Sequence, residues 1–167
     1  GFALIEYFGP SGPGATPRID AIAFAPSGSQ AFPNRDLPSE LRVVNLVRDT
    51  PAMDVYFGST AGDPLVAGMA PLDVTPYLPI ESGRVSLNLT EPGIKDQFLL
   101  ERDELVVAGS FHTMLVRGRG AIGAIDTITY QQLPRAIRGR VPVTVINAST
   151  QLSFVRVELL APGQDFS

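Results

Sequence analysis

The residues with the chemistry for catalysis or metal binding are few and scattered. The chain has one histidine, His112, set in Phe111-His112-Thr113-Met114. A Ser/His/Asp triad or an imidazole metal site would have to be built on it. Placed in an apolar strand between an aromatic residue and a methionine, it reads instead as a structural histidine near a turn. Asp49, Asp54, Asp63 and Asp73 bring the hard oxygen ligands that calcium takes. They are dispersed along the chain, so the expectation is turn and cap roles for their carboxylates. With no cysteine, neither a disulfide nor a thiolate metal site can form. No G-x-S-x-G, Walker or H-E-x-x-H pattern occurs. No catalytic, cofactor-binding or metal-ligating residue is therefore assigned, and the expectation is a protein without enzymatic activity.

Charge narrows the partners. Thirteen Lys and Arg against seventeen Asp and Glu give a formal net charge of −4. Phosphate binding needs clustered basic residues, so nucleic acid is excluded as a partner. Arg117, Arg119, Arg135, Arg138 and Arg140 balance the acids and form no basic stripe, though a weak basic face toward an acidic polysaccharide would have to come from them. Glu101-Arg102-Asp103-Glu104 reads as a solvated loop. Asn88-Leu89-Thr90 and Asn147-Ala148-Ser149 match the N-glycosylation acceptor pattern. Asn88 falls on the outward side of a strand and is the better acceptor. Asn147 reads as a turn residue whose amide bonds nearby backbone.

The elements that must carry these residues are strands. In 167 residues, 44% are hydrophobic and only 18% charged, against about 25% charged in an average domain. Sixteen glycines and fifteen prolines stand between apolar runs, which is the punctuation of a β protein with many turns. The opening GFALIE resembles the start of mature type IV pilins, but the run Gly9 to Gly14 breaks any helix within two turns. Gly1–Phe8 is therefore read as a short apolar strand on a Gly/Pro linker. Arg18–Ala25 is a second strand, and Pro26–Glu40 a loop before the main domain. From Leu41, strand signals recur at roughly the spacing of a sandwich or barrel. Leu41–Val47 reads as a central strand covered on both sides, and Met53–Phe57 as a strand with Asp54 and Tyr56 outward. Leu72–Leu78 is an edge strand or bend at Pro76. Arg84–Thr90 has Ser86, Asn88 and Thr90 outward, and Lys95–Leu100, Ser110–Arg117 and Ile122–Gln131 complete the set. The fold class is all-β, an antiparallel sandwich over residues 41–133. Residues 1–40 form N-terminal strands and linker, and 134–167 a partial second repeat.

That repeat is visible without gaps when Asn45 and Asn147 are aligned: Met53, Val55 and Phe57 fall on Val155, Val157 and Leu159, and Asp54 and Tyr56 on Arg156 and Glu158. The order Val43-Val44-Asn45, then Asp49-Thr50-Pro51-Ala52-Met53-Asp54-Val55-Tyr56, resembles the secreted domain of unknown function 4397, as do Thr75–Gly83 and Ala108–Gly118. The resemblance spans about Leu41 to Gln131, with a truncated second copy from Val141. It implies an immunoglobulin-like β-sandwich, often in tandem, in exported or cell-surface proteins; a similar tandem occurs in a periplasmic accessory protein of alginate acetylation. It implies no catalytic residues.

A truncated copy of two strands is marginal in water, so Val143, Val145, Val155, Val157 and Leu159 need a cover. The apolar strand of Phe2, Leu4, Ile5, Tyr7 and Phe8 can supply it from a neighbouring copy by β-strand addition, a head-to-tail contact that does not close and so builds a filament. The expectation is an exported structural subunit of an extracellular filament or surface assembly, its partners copies of itself and its signal peptide removed, with Gly1 as the mature end. No run approaches the ~18 apolar residues of a transmembrane helix. The alternative is a periplasmic or cell-surface binding or accessory module for polysaccharide. The lack of tryptophan counts against it.

Overall fold

A computed structural model describes residues 2–7, 18–32, 37–132 and 143–157. Three antiparallel strands come first: β1 (Phe2–Tyr7), β2 (Arg18–Ala25) and β3 (Gly28–Phe32). They form a separate sheet in the order β1-β2-β3. β1 and β2 fall where the sequence pattern places them. β3 lies inside the stretch expected to be loop, because Gly28, Ser29 and Gln30 carry little strand propensity and gain their order from the two-residue turn Pro26-Ser27 after β2.

The remaining strands build a β-sandwich of two four-stranded sheets. They are β4 (Ser39–Asn45), β5 (Met53–Phe57), β6 (Val66–Met69), β7 (Leu78–Ile80), β8 (Gly83–Thr90), β9 (Phe98–Val106), β10 (Phe111–Arg119) and β11 (Ala124–Gln132). One sheet runs β11-β10-β4-β7 and the other β6-β5-β8-β9. All pairings in the two sheets are antiparallel except β4 with β10, where Leu41 lies beside His112 and Val43 beside Met114. The core lies between the sheets. Leu41, Val43, Met114 and Val116 from one meet Met53, Val55, Leu87 and Leu89 from the other, all fully buried. Burying such side chains contributes about 1.5–3 kcal/mol each, which makes this layer the main source of stability. β4 is central, with one face fully buried and Arg42 and Val44 half-buried on the other.

Three expectations are corrected. Asp54, Tyr56, Asn88 and Thr90 were assigned to a solvated face by alternation, yet all four are buried. The connections 58–65 and 91–97 fold back over that outer face: Asp54 accepts from the backbone N–H of Gly93 at 3.0 Å, Asn88 Nδ2 donates to the Gly58 carbonyl at 3.0 Å, and Lys95 Nζ reaches the Gly62 carbonyl at 2.7 Å, while Gly68 N–H of β6 donates to Asp54 at 2.7 Å. Glu101–Glu104 belongs to β9, not to a loop; Glu101 and Asp103 point to solvent while Arg102 and Glu104 are half-buried. Of the edge strand or bend expected over Leu72–Leu78, the strand begins only at Leu78 and the chain through Pro76 is irregular. Before it, Leu72 adopts a φ of 72° and the chain runs beside β4 through a single bridge, Val44 with Val74.

Residues 143–157 form no strand, so the two strands expected for the second copy are not made over these positions. Nothing in their composition forbids it, since Val143 to Val157 contains no proline and no glycine. Among the described residues no strand lies paired beside them, and backbone donors and acceptors form a ladder only against a neighbour. Residues 134–142 and 158–167 of the expected partial repeat lie outside the described residues.

Candidate functional site

The histidine is placed by the turn that carries the chain from β9 to β10. Ser110 N–H donates to the Val107 carbonyl at 3.3 Å, and Gly109 takes the left-handed conformation with φ 70°. Ser110 Oγ also donates to the Val107 carbonyl, which receives Ser39 Oγ at 2.9 Å as well. The Ser110 oxygen is thereby left to accept from His112 Nε2 at 2.6 Å. The serine proton points away from the imidazole, the reverse of a nucleophile–base pair. Both residues are buried. Burial pushes the His112 imidazole below its ordinary value, with the Val107 carbonyl pulling the other way. The arrangement ties Ser39, at the start of β4, to the β9–β10 turn, which is a positioning role.

The four aspartates do not converge. Asp49 Oδ1 accepts from Gly120 N–H at 2.9 Å, Asp73 Oδ2 from Ala70 N–H at 2.8 Å, and Asp54 from the amides of Gly68 in β6 and of Gly93. Each holds a different turn. Among the described residues no group of three or more His, Asp or Glu gathers as metal ligands.

Asn88 is 5% exposed and donates to the Gly58 carbonyl at 3.0 Å. Its placement as a surface acceptor for glycan is corrected: the same loop that covers the outer face of β8 takes its amide. Nearby, Gly58, Glu81, Arg84, Phe98 and Glu101 border a shallow, open depression with mostly polar walls.

Asn147 repeats the chemistry of Asn45. Asn45 Oδ1 accepts from Val47 N–H and Asn147 Oδ1 from Ser149 N–H, two residues on and at 3.0 Å in both. The amide nitrogens differ. That of Asn45 donates to Met69 and Ala70 carbonyls at 3.2 and 3.1 Å, whereas that of Asn147 donates locally to Leu152 at 2.9 Å. Ser149 Oγ adds the amides of Gln151 and Leu152. Arg117, on β10, donates to the Ser149 carbonyl at 3.3 Å and anchors the turn to the outer face of its sheet.

Around that turn the chain is apolar and open. Val143 is 69% exposed and Phe154 84%, and Val145, Leu152, Val155 and Val157 are exposed with them. At the other end, Phe2, Leu4, Ile5 and Tyr7 lie within β1, which pairs with β2 of the same chain from Phe2↔Ala23 to Tyr7↔Arg18. Phe8, Leu159, Arg135, Arg138 and Arg140 fall outside the described residues. Among the described residues β1 pairs with β2, and 143–157 pairs with no strand.

The sequence missed the polar closure of the sandwich. Arg102 on β9 reaches Asp126 at 3.4 Å and the Thr127 carbonyl at 3.2 Å on β11, while Arg117 reaches Asp126 at 3.0 Å. Burial works to raise the Asp126 carboxyl. The Arg117 and Thr127 hydrogen bonds and the charges of Arg117 and Arg102 outweigh it and hold the group below its ordinary value. Only the charge run on β9 hinted at this, and its partners are distant in sequence.

No curated protein sequence matches the chain. Among solved structures, the C-terminal domain of AlgF from P. aeruginosa is similar at a TM-score of 0.39 and 19% identity, over 57% of this chain and 98% of that one. Residues 39–158 match the model of DUF4397, a domain of unknown function, in one stretch that runs through the sandwich and the 143–157 segment. The chain belongs to the DUF4397 family.

Proposed function

We propose that the chain is a non-enzymatic structural subunit of an extracellular or cell-surface assembly, joined to copies of itself by strand addition. The observation that carries this reading is the 143–157 segment: strand-forming in composition, with Val143, Val145, Leu152, Phe154, Val155 and Val157 exposed, and part of no strand. An exposed apolar segment outside any sheet is an adhesive element. Donation of Phe2–Tyr7 to a neighbour's Val143, Val145, Val155 and Val157 fits that need, and it must trade the pairing of β1 with β2 for the pairing between chains. Export is carried over from the family resemblance.

Sedimentation over a concentration series, with imaging of the native material, tests the reading. Association into open-ended species is expected, and deletion of Gly1–Pro10 is expected to weaken it. A chain monomeric at every concentration sinks the reading; association untouched by the deletion removes β1 as the donor. A second reading, a polysaccharide-binding module, draws on Phe98, exposed at the rim of the open depression beside Arg84 and Glu101. Aromatic faces with flanking polar groups suit sugar rings. Titration of the monomer with alginate, lost in Phe98→Ala, is the outcome that favours it.

A further inference from the structure

We propose that the open depression on the outer face of β8 and β9 binds a sugar chain carrying protonated amines, a hexosamine polymer. This rests on the second, polysaccharide-binding reading and names the class of sugar. The depression is pre-formed. Gly58 is fastened to β8 from both sides: its N–H donates to the Ser86 carbonyl at 2.7 Å, and its carbonyl accepts from Asn88 Nδ2 at 3.0 Å. Asn88 Nδ2 also reaches Ser86 Oγ at 3.3 Å. The buried amide of Asn88 is thus spent within the floor, and it fixes the start of the wall that Ser59 and Thr60 continue. On the other side, Phe98 and Glu101 stand on β9, in register with Thr90 and Asn88 of β8. Side chains carried on paired strands are held more precisely than side chains on loops.

The charge of the depression is one-sided. Glu81 and Glu101 both border it, and among the described residues neither makes an ion pair. The cations nearby are engaged elsewhere. Arg84 pairs with Asp103 at 3.4 Å, Arg102 turns to Glu104 and Asp126, and Lys95 Nζ donates to the Gly62 carbonyl. A uronate entering the depression meets two uncompensated carboxylates, whereas an ammonium is attracted by both.

Phe98, 44% exposed, adds an apolar ring face to the same rim. That face can take the C–H side of a sugar ring, and its quadrupole favours a cation held above it. The carboxylates accept hydrogen bonds, and the hydroxyls of Ser59, Thr60 and Ser82 both donate and accept. Together they match a row of sugar hydroxyls with an amine among them. Being open to solvent, the depression suits units of a chain that continues past it, not an enclosed small molecule.

Calorimetric titration of the intact chain tests this with a glucosamine trimer, an N-acetylglucosamine trimer, an alginate trimer and trilysine as probes. The glucosamine trimer should bind tightest, with an affinity that falls as salt is raised. Phe98→Ala and Glu101→Gln should each weaken it about tenfold or more. Glu91→Gln, the same charge change at an exposed acid outside the depression, should leave it unchanged. All three substituted side chains are exposed, and matching melting curves establish that the fold is kept. Alginate or the N-acetylated trimer bound as tightly as glucosamine overturns the choice of ligand and leaves the polysaccharide reading standing. Trilysine bound equally well overturns it too, because charge alone would then suffice. So does equal weakening by Glu91→Gln. If no sugar binds, the polysaccharide reading itself falls, and the proposal with it.

Discussion

The turn at Asn45 and the turn at Asn147 begin identically and end in different worlds. In both, the side-chain oxygen takes the N–H two residues on at 3.0 Å. Asn45 then spends its amide on Met69 and Ala70, across the sandwich in sequence, and is fully buried. Its backbone joins in: Leu72 N–H donates to the Asn45 carbonyl at 2.8 Å, and Asn45 N–H to that of Asp73 at 3.0 Å. Asn147 finds only Leu152. The difference teaches that the asparagine encodes the bend, while the strands on either side of it depend on a partner chain segment. With residues 69–75 against it, the first copy makes β4 and β5; over the described residues 143–157 the second is irregular and exposed.

The sharpest break of this comparison is a pair of identical substitutions. Asn45→Ala strands buried donors and acceptors, each costing about 1–3 kcal/mol, so a loss of about 3 kcal/mol is expected. Asn147→Ala touches half-buried, local bonds, and a surface change of that kind stays within about 0.5 kcal/mol. Denaturant titration of the two variants measures the gap, and equal losses would mean that the second turn is buried against something in solution. Next comes the corner that steadies the first turn. A side chain on Gly120 would overlap Thr50 Cγ2, and Gly120 N–H is held by Asp49. Gly120→Ala should cost about 1–3 kcal/mol by overpacking in thermal or chemical unfolding. Relief of that cost in the Gly120→Ala, Thr50→Ser double variant would identify the methyl group as the cause. Smaller again is the aligned pair Asp54 and Arg156. Asp54→Ala leaves the Gly68 and Gly93 amides without their acceptor, an expected loss of about 2 kcal/mol together with faster amide exchange at those two glycines. Arg156→Ala should leave stability within about 0.5 kcal/mol and show itself in association.

Most strands were legible because their alternation is strong. Arg18–Ala25 and Met53–Phe57 are strands over the predicted spans, and Arg84–Thr90 gains only Gly83. What alternation could not convey is which faces the loops later cover. Period two separates the two sides of a strand, and says nothing of whether 58–65 and 91–97 will roof one of them; hence the buried Tyr56 and Asn88. β6 escaped notice because four residues, Val-Ala-Gly-Met, are too short for a pattern. The candidate surface was half legible. The apolar residues of 143–157 were read as needing a cover, and they are exposed. That residues 143–157 would form no strand while β1 paired with β2 depends on competition between partners, which no local pattern encodes.

The finest distinction between the two regions is their response to acid. His112 lies beside Leu41 at the head of the first copy's strand and is held neutral by burial, its folded-state value lying below the ordinary one. A histidine free in the unfolded chain titrates near ~6.5. Below that point the unfolded state binds a proton that the folded state resists, so the unfolded state gains and stability falls with falling pH. The loss continues until pH passes the lowered folded value and is complete below it; above ~6.5 the contribution is fully present. Asp126 acts in a more acidic window and in the same direction, since its depressed value means its contribution is present above the ordinary carboxylate range and lost as pH falls through the folded value. The melting temperature should therefore decline from about pH 6.5 downward, and His112→Asn should flatten the first part of that decline while lowering the plateau. Ser149 amide exchange, corrected for its intrinsic pH dependence, should show no matching step, because the Asn147 turn that protects it contains no group titrating in that range. A step at Ser149 that follows His112 would show that the second turn is coupled to the core after all.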